Sequence, residues 1–288
     1  MAMEPPVSKL LIYYNISLDS LTFREFLVKM NAKIVHYCWF GPSEKGKLIQ
    51  DCMKTWQKYL PDYKFREWND SDIKTFNNLY VDEAAKLGKW AFVSDYARLY
   101  ALYNYGGVYL DTDVELRRNI DEFLVHDFFS CFEYRDGSAD CYPISALMGA
   151  QKGNEIIYKL LQDYVGRRFV RDDGSLDQTP NTKTISALFE KEYAVRPPYS
   201  PEEKLMLSEN EIIYPYHYFC TDSRGVAFAV HHFNGSWKKK HWVLLRNKAG
   251  SLFIAKNSYL RNLPEDQVYF RLKIFKNRNL IYVRNSKN

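Results

Sequence analysis

The chain has 288 residues, of which 46% are hydrophobic and 26% are charged, and a chain of this length and composition builds a globular core without disulfide or metal support. Its net charge of +5 is unevenly distributed, because residues 238–288 contain thirteen Lys or Arg and two acids, for a charge of +11, whereas residues 1–237 carry −6. No apolar run approaches the ~18 residues that a membrane-spanning helix needs.

The first half of the chain alternates apolar strands with helices. A short, apolar, β-rich strand is predicted at 33–40, and a helix with regularly spaced apolar residues follows it and ends at Pro61. Further elements follow in order: a strand at 63–68, a helix at 71–87, a helix that begins with Ser94 as its N-cap and ends at Gly106-Gly107, and a strand at 108–116. This alternation through residue 130 predicts an α/β fold with a mainly parallel central sheet.

The second half is predicted with fewer elements. An amphipathic helix is expected at 155–165 and a buried strand at 225–230. Near the end, alternation over 267–274 and the apolar segment 280–283 predict a hairpin with a basic face. The chain therefore divides into an N-terminal extension of uncertain role (1–29), a main domain (30–245) and a small basic β appendage (246–288).

The five cysteines are odd in number, scattered through the chain, and never in CxxC spacing: Cys38, Cys52, Cys131, Cys141 and Cys220. This distribution argues against a disulfide framework or a zinc ribbon and is typical of buried free thiols in a reducing compartment. A cytoplasmic location is therefore expected.

The strongest chemical feature is the pair Asp111 and Asp113 at the end of an apolar strand. Residues i and i+2 of a strand face the same side, so two carboxylates at this spacing can share a hard divalent cation such as Mg²⁺ or Mn²⁺. In open α/β sheets ligands bind at the carboxyl ends of strands, where this pair lies. Such a pair also occurs at ordinary solvated strand ends, so its neighbours matter.

Four neighbouring features are candidates for the same site. Asp95 and Arg98 share one face of the preceding helix, where a guanidinium would suit a diphosphate or simply pair with the acid. Gly106-Gly107 would let the backbone approach a ligand closely. One histidine of the segment HHFNGSW, residues 231–237, could complete a mixed oxygen and nitrogen metal site. Trp39 ends the first strand, where it is either a base-stacking residue or part of the core.

Together the segments HYCWFG, SDYARLYALYNYGGVYLDTDVE and HHFNGSW resemble glycosyltransferase family 32, a group of DXD-containing sugar transferases. That group includes bacterial capsular-polysaccharide enzymes and the yeast initiating mannosyltransferase, and its core is similar to that of the clostridial glucosylating toxins. The resemblance covers about residues 33–237. It implies a GT-A type, Rossmann-like fold over the main domain, a nucleotide-sugar donor, a divalent metal, and retention of the anomeric configuration.

The resemblance also implies roles for single residues. Asp111 and Asp113 would be the catalytic DXD pair and, with His232 in preference to His231, would bind Mn²⁺ or Mg²⁺. The donor would be bound by six residues through its sugar hydroxyls, diphosphate and base: Trp39, Asp95, Arg98, Gly107, Ser236 and Trp237. Asn181 would be a further catalytic residue at the reaction centre or on the acceptor side.

The implied activity is that of a hexosyltransferase that moves sugar from a UDP- or GDP-linked donor to a glycan or a lipid-linked glycan, as in capsular or other surface polysaccharide synthesis. A toxin-like transferase with a protein acceptor is the alternative, and a glycoside hydrolase or a non-catalytic binding protein is less favoured. No nucleic-acid partner is expected. The basic tail is expected to be either a solvated hairpin or a peripheral contact with anionic lipid at the inner face of the membrane.

Overall fold

The computed structural model describes residues 31–134 and 141–234, together with the backbone of four strands between residues 242 and 284. The strands of the first part are β1 (Ile34–Cys38), β2 (Lys64–Trp68), β3 (Gly107–Leu110), β4 (Val114–Leu116), β5 (Phe128–Glu133), β6 (Tyr142–Pro143), β7 (Leu147–Ala150), β8 (Leu205–Met206), β9 (Glu211–Tyr214) and β10 (Ala229–His231). The helices are α1 (Lys47–Tyr59), α2 (Ile73–Phe76), α3 (Leu79–Lys86), α4 (Trp90–Tyr105), α5 (Glu155–Gln162), α6 (Asn181–Tyr193) and α7 (Tyr216–Phe219), with 3₁₀ turns at Asp70–Asp72 and Asp121–Phe123.

The central sheet has the strand order β2-β1-β3-β7-β5-β9-β8, with β6 beside β5. Strand β1 pairs in parallel with both β2 and β3, and β5 pairs in parallel with β9. Strand β7 is antiparallel to both β3 and β5, and β6 and β8 are antiparallel to their neighbours. Five of the eight strands therefore point the same way, and the predicted α/β class with a mainly parallel sheet is confirmed.

The long helices α1 and α4 supply the crossovers that parallel pairing of β1, β2 and β3 requires. Helix α1 buries Ile49, Cys52 and Trp56 along one face, at the spacing that the apolar pattern predicts. Helix α4 buries seven of its sixteen residues, including Arg98. Helix α4 packs against β1, β3 and β7, and helix α1 packs against β4, so the two helices lie against the strands on either side of Asp111–Asp113.

Two of the predicted helix boundaries are wrong. The helix expected over 71–87 is divided into α2 and α3, because Asn77 takes a left-handed conformation with φ of 44° and Asn78 then caps α3 through its side chain. Ser94 is not an N-cap. It lies inside α4, which begins at Trp90, and its hydroxyl donates a hydrogen bond back to the Trp90 carbonyl at 3.0 Å.

The predicted strand at 108–116 is also divided. It ends as β3 at Leu110, turns at Asp111, Thr112 and Asp113, and resumes as β4. Strand β4 leaves the central sheet and pairs antiparallel with β10 in a separate two-stranded ribbon. Helix α1 supports β4, since Trp56 Nε1 donates to the Val114 carbonyl at 2.7 Å and Thr55 Oγ1 accepts from the Leu116 N–H at 2.9 Å.

The core is largely aromatic. The Phe123 ring contacts the rings of Phe129, Tyr214, Phe219 and Phe228 at centroid distances of 4.8 to 5.7 Å. Most of these contacts are edge-to-face, the geometry that the ring quadrupole favours. Much of the high aromatic content therefore serves packing.

The contacts divide the chain into two compact units, residues 1–234 and 235–288. In the second unit β11 (Trp242–Arg246), β12 (Leu252–Lys256), β13 (Phe270–Ile274) and β14 (Leu280–Arg284) form an antiparallel sheet in the order β12-β11-β13-β14. The strands of the predicted terminal hairpin, β13 and β14, pair within this sheet. The extension at 1–29 lies outside the described residues, and among those that are described no helix is long and apolar enough to cross a membrane.

Candidate active site

The Asp111–Asp113 turn lies where the buried strand β3 leaves the central sheet. The Val114 N–H donates to the Asp111 carbonyl at 2.9 Å and closes the turn, and the Asp111 N–H is fixed by the Ala146 carbonyl at 2.7 Å. The two carboxylates therefore converge through a turn. The predicted reason, alternation along one continuous strand, is wrong.

Strand β10 brings a histidine to this turn. In the ribbon His231 is the register partner of Val114, and the next residue donates its backbone N–H to the Asp113 carbonyl at 3.0 Å. His231 Nε2 lies 3.4 Å from Asp113 Oδ1, and the Asn234 N–H donates to Asp113 Oδ2 at 2.7 Å. Asp111, Asp113 and His231 each offer a ligand atom, and these atoms all lie within 4.8 Å of one another.

The histidine in this cluster is His231, whereas the sequence favoured His232. The His232 ring lies on the other face of the ribbon, where its Nε2 is 2.9 Å from Glu115 Oε2. The pairing register of β10 with β4 explains why His231, and not His232, lies in the cluster. Glu115 is opposite Val230, and residues two apart share a face, so His232 lies on the face of Glu115.

The cluster suits a hard divalent cation. Around an octahedral ion with bonds of about 2.1 Å, neighbouring ligand atoms lie about 3 Å apart and opposite ones about 4 Å apart, within the observed spread. Two carboxylates and one imidazole fit Mn²⁺ or Mg²⁺, with the remaining positions left to water or to phosphate oxygens. The His231 Nδ1 atom is buried and has no hydrogen-bond partner within the part of the chain that the structure describes.

The charge of Asp113 is stabilised by its contacts. Burial alone would raise the pKa of Asp113, but the hydrogen bonds from His231 and the Asn234 N–H outweigh it and hold the pKa below its ordinary value. A carboxylate that is ionised at neutral pH is the form that binds a metal ion.

Beside this turn Arg98 is buried, with a relative exposure of 5%. Its guanidinium lies 3.0 Å from Asp95 Oδ1 and 3.3 Å from Asp111 Oδ1, donates to the Ser145 carbonyl at 2.5 Å, and stacks 4.6 Å from the centre of the Tyr109 ring. Arg98 therefore bridges two predicted site carboxylates. The prediction that it shares a face with Asp95 holds, although the pair lies in the second and third turns of α4 and not in its first.

Burial changes the ionisation of Asp95. It raises the pKa of Asp95 to about 6, and the nearby charge of Asp111 adds to the rise while Arg98 and Arg167 oppose it. Burial would by itself lower the pKa of Arg98, but Asp111, Tyr109 and Asp95 raise it above the ordinary value. Arg98 is therefore a permanent cation between its two acids.

The diglycine has a structural role in this part of the chain. Gly107 has a φ of +99°, and a Cβ there would lie 2.5 Å from the Ile34 carbonyl oxygen. The absent side chain lets β3 lie against the backbone beside β1, so the close approach at Gly107 is to the protein's own chain. Its predicted contact with a donor has no support in this geometry.

Trp39 follows β1 and is partly exposed. Its Nε1 donates to the Ser43 carbonyl at 2.7 Å, and the Lys45 ammonium lies 5.3 Å from the ring centre. The ring is thus fixed at the end of a parallel strand with one cation nearby, an arrangement compatible with stacking on a nucleobase.

Asn181 is the first residue of α6 and has a relative exposure of 3%. Both of its side-chain polar atoms are buried without a hydrogen-bond partner among the described residues. Leaving a buried polar group unpaired costs about 1–3 kcal/mol, so this amide is a candidate for contact with a ligand. The predicted donor contacts Ser236 and Trp237 lie outside the described residues.

The structure therefore joins Asp95, Arg98, Asp111, Asp113 and His231 in one continuous set of contacts. Sequence reasoning missed the Tyr109 hydroxyl, which donates to Asp111 Oδ1 at 3.0 Å. The sequence does place Tyr109 two residues before Asp111, which indicates that the two side chains share a face. Tyrosine is also common as a packed residue in apolar strands, so this position alone did not indicate a role in the site.

Comparison with known proteins finds similarity over the same region. Residues 46–130 match the family described as "Glycosyltransferase sugar-binding region containing DXD motif". An uncharacterized glycosyltransferase of Acanthamoeba polyphaga mimivirus is 24% identical over 230 residues, which is 72% of this chain and 84% of that protein.

Two solved structures show remote likeness. The PaToxG glycosyltransferase has 17% identity and a TM-score of 0.43, over 60% of this chain and 76% of its own. A glycosyltransferase involved in the glycosylation of the major capsid of PBCV-1 has 12% identity and a TM-score of 0.37, over 71% of this chain and 94% of its own. Through residues 46–130, which contain Asp95, Arg98 and the Asp111–Asp113 turn, the chain is similar to the DXD-containing glycosyltransferases.

Proposed function

We propose that this protein is a metal-dependent, retaining glycosyltransferase of the family 32 type, with a GT-A fold. The observation that carries the proposal is the cluster of Asp111, Asp113 and His231 next to the buried Arg98. Both acids of the cluster lie in the region that is similar to the DXD sugar transferases. The donor is a UDP- or GDP-linked hexose, and the acceptor is a glycan or a lipid-linked glycan.

Several of the predicted residues have a role in this proposal. Asp111, Asp113 and His231 would hold Mn²⁺ or Mg²⁺, which when bound neutralises the charge that grows on the departing diphosphate. Arg98 keeps Asp111 and Asp95 in place and adds a fixed positive potential beside the turn. Asp95 accepts hydrogen bonds from donor hydroxyls, and its retention of charge above about pH 6 favours those bonds.

The remaining roles concern the base and the acceptor. Trp39 stacks on the nucleobase, and the Asn181 amide contacts the transferred sugar or the acceptor hydroxyl. Retention requires either a covalent glycosyl-enzyme intermediate or attack by the acceptor from the face that the leaving group occupies. Because no carboxylate is placed as a nucleophile by the sequence motifs, we propose the second route. The acceptor oxygen then forms the new bond to the anomeric carbon as the bond to the phosphate oxygen breaks, and that phosphate oxygen receives the acceptor proton.

The experiment is a panel of UDP- and GDP-sugars, assayed for release of nucleoside diphosphate with Mn²⁺, with EDTA, and after Mn²⁺ is restored. Release from one donor that EDTA abolishes, Mn²⁺ restores and Asp113→Asn eliminates would support the proposal. Asp173→Asn is the matched control, because Asp173 is an exposed acid whose Oδ1 accepts from the Ser175 N–H at 2.8 Å and which lies outside the candidate site. Release that EDTA and Asp113→Asn both leave intact would contradict the proposal.

The stereochemistry needs its own measurement. Proton NMR of the first product formed identifies the configuration of the anomeric carbon, and retention is expected. An inverted product would leave the transferase assignment in place and overturn the family 32 type.

We also propose a cytoplasmic enzyme whose basic tail contacts anionic lipid. The support is the charge of +11 over residues 238–288, because each Lys or Arg near an anionic surface contributes about 1 kcal/mol of attraction. Full-length protein is expected to sediment with phosphatidylserine vesicles at low salt, and the chain without residues 246–288 is not. Equal sedimentation of the two would refute the contact.

A further inference from the structure

We propose that Asp177 is a positioning residue for the transfer reaction: together with Arg167 it fixes the start of α6, so that the buried Asn181 amide is presented to the reacting groups. The inference rests on the proposed function, because Asn181 has a task only if a sugar or an acceptor is bound. It adds two residues that the sequence motifs do not contain.

The Asp177 carboxylate accepts hydrogen bonds from several neighbouring groups. Its Oδ2 accepts from Arg167 Nε at 2.7 Å, and its Oδ1 accepts from the N–H and the hydroxyl of Thr179 at 3.2 and 2.7 Å. Arg171 adds a contact at 3.1 Å. Burial would raise the pKa of Asp177, but Arg167 and Thr179 outweigh it and lower the pKa, so the side chain is a charged anchor at neutral pH.

Arg167 connects Asp177 to side chains of the surrounding helices and loop. Its guanidinium lies 5.0 Å from the ring centres of both Tyr80 and Tyr164, and it also pairs with Asp163 at 2.8 Å. The Tyr80 hydroxyl donates to the Asp177 backbone carbonyl at 3.2 Å. The loop is thus attached through both the side chain and the backbone of Asp177.

The charge of Arg167 also acts on the predicted donor site, because it favours the ionised form of Asp95 on α4. The Tyr164 ring that Arg167 contacts packs at 5.2 Å against the ring of Tyr96, the residue after Asp95. Arg167 thus contacts both Asp177 and an aromatic pair next to Asp95.

Only three residues separate Asp177 from Asn181. They include Thr179, which Asp177 holds, and Pro180, whose carbonyl accepts from the Lys183 N–H at 3.0 Å in the first turn of α6. Among the described residues the Asn181 side chain has no hydrogen-bond partner, so the described backbone on either side is what positions it. Asp177 supplies the fixed point on the N-terminal side.

The test compares Asp177→Asn, Asn181→Ala and the double variant, with Asp173→Asn as the matched control in the same loop. Because small misplacement of a reacting group can cost up to about a hundredfold in rate, Asp177→Asn should lower kcat about 10- to 100-fold with little change in the KM for the donor. Asp173→Asn should stay within about twofold of the wild type. In the Asn181→Ala background, Asp177→Asn should cause no further loss, since a residue that acts through another is not additive with it.

A second readout does not depend on turnover. Hydrogen exchange of peptides that cover residues 177–184 should accelerate in Asp177→Asn and remain unchanged in Asp173→Asn. If Asp177→Asn does not fold, Thr179→Val removes one donor to Asp177 and leaves the pair with Arg167, and should shift both readouts in the same direction by less.

The outcomes separate this role from the proposed function. Additive losses of kcat in the double variant, or unchanged exchange over 177–184, would overturn the role of Asp177 in an active enzyme. A wild-type protein that transfers sugar from no donor would overturn the proposed function, and this role with it.

Discussion

Arg98 offers the sharpest test of how the candidate site is built, and the change to make is Arg98→Met. The substitution keeps an unbranched side chain of similar length and removes the cation. In the wild type the guanidinium lies 3.0 Å from Asp95 and 3.3 Å from Asp111 and has a side-chain exposure of 6%. The variant therefore leaves two acids beside an apolar side chain.

Removing one partner of a buried ion pair destabilises a protein by about 3–5 kcal/mol. For a chain of this size, about 4 kcal/mol corresponds to a fall in Tm of roughly 10 °C. The loss should also depend on pH. Burial already raises the pKa of Asp95 to about 6, above its unfolded value, so its charge costs stability as pH rises. Without Arg98 that pKa rises further, and the deficit should be larger at pH 8 than at pH 5.

The measurement is urea unfolding of both proteins at pH 5 and pH 8, in EDTA so that no metal contributes. Arg224→Met is the matched control, because Arg224 forms an exposed pair with Glu202 and such pairs contribute about 1 kcal/mol or less. A deficit for Arg98→Met that is no larger than that of the control, or that is the same at both pH values, would refute this account of the site.

Three further predictions concern the metal cluster, the sheet and acid stability. His231→Ala should weaken Mn²⁺ binding, measured by electron paramagnetic resonance, about 10-fold or more, whereas His232→Ala should leave it within about threefold; equal losses would contradict the assignment of His231. Gly107→Ala should lower Tm far more than Gly153→Ala, because both glycines have positive φ but only the first would bring a Cβ against backbone, and similar Tm values would show that β3 can shift. Burial lowers the pKa of His36 to about 4 from 6.5. The unfolded chain therefore binds the proton at a higher pH than the folded one, and up to about 3 kcal/mol of stability is lost as pH falls from 6.5 to 4. In urea unfolding, His36→Gln should lose less stability over that pH range than the wild type, and an equal loss would assign it to other groups.

The environment of His36 explains why that histidine stays neutral. Its Nε2 lies 3.0 Å from the Gly106 carbonyl and donates to it, so its Nδ1 accepts from Trp68 Nε1 at 3.3 Å. Both ring nitrogens are satisfied in the neutral tautomer, and a second proton would have no acceptor. This bond also ties the end of α4 to β1, next to the strand that carries Asp111.

Much of the fold could be predicted from the sequence, since local patterns specify it. The apolar strand that became β1 and the amphipathic spacing of α1 depend only on which residues must be buried, and the alternation of such segments implies parallel pairing. The predicted helix boundaries were wrong at two positions. Asn77 adopts a left-handed φ that ends one helix and lets another begin. Ser94 has the side chain of a typical N-cap, but α4 already begins at Trp90, so Ser94 lies inside the helix.

In the candidate site, too, some features follow from local sequence and others only from the packing of separate elements. The sequence by itself determined that Asp95 lies beside Arg98 on one helix face and that Asp111 and Asp113 lie at one strand end, because each of these spacings is local. The family resemblance joined the two pairs in one site. Only the tertiary structure decided between His231 and His232, since side chains alternate across a strand and the pairing of β10 with β4 assigns each histidine to a face. The pairing of Arg98 with Asp111 and the burial of the Asn181 amide likewise depend on how separate elements pack, where burial and electrostatics, and no local pattern, decide the contacts.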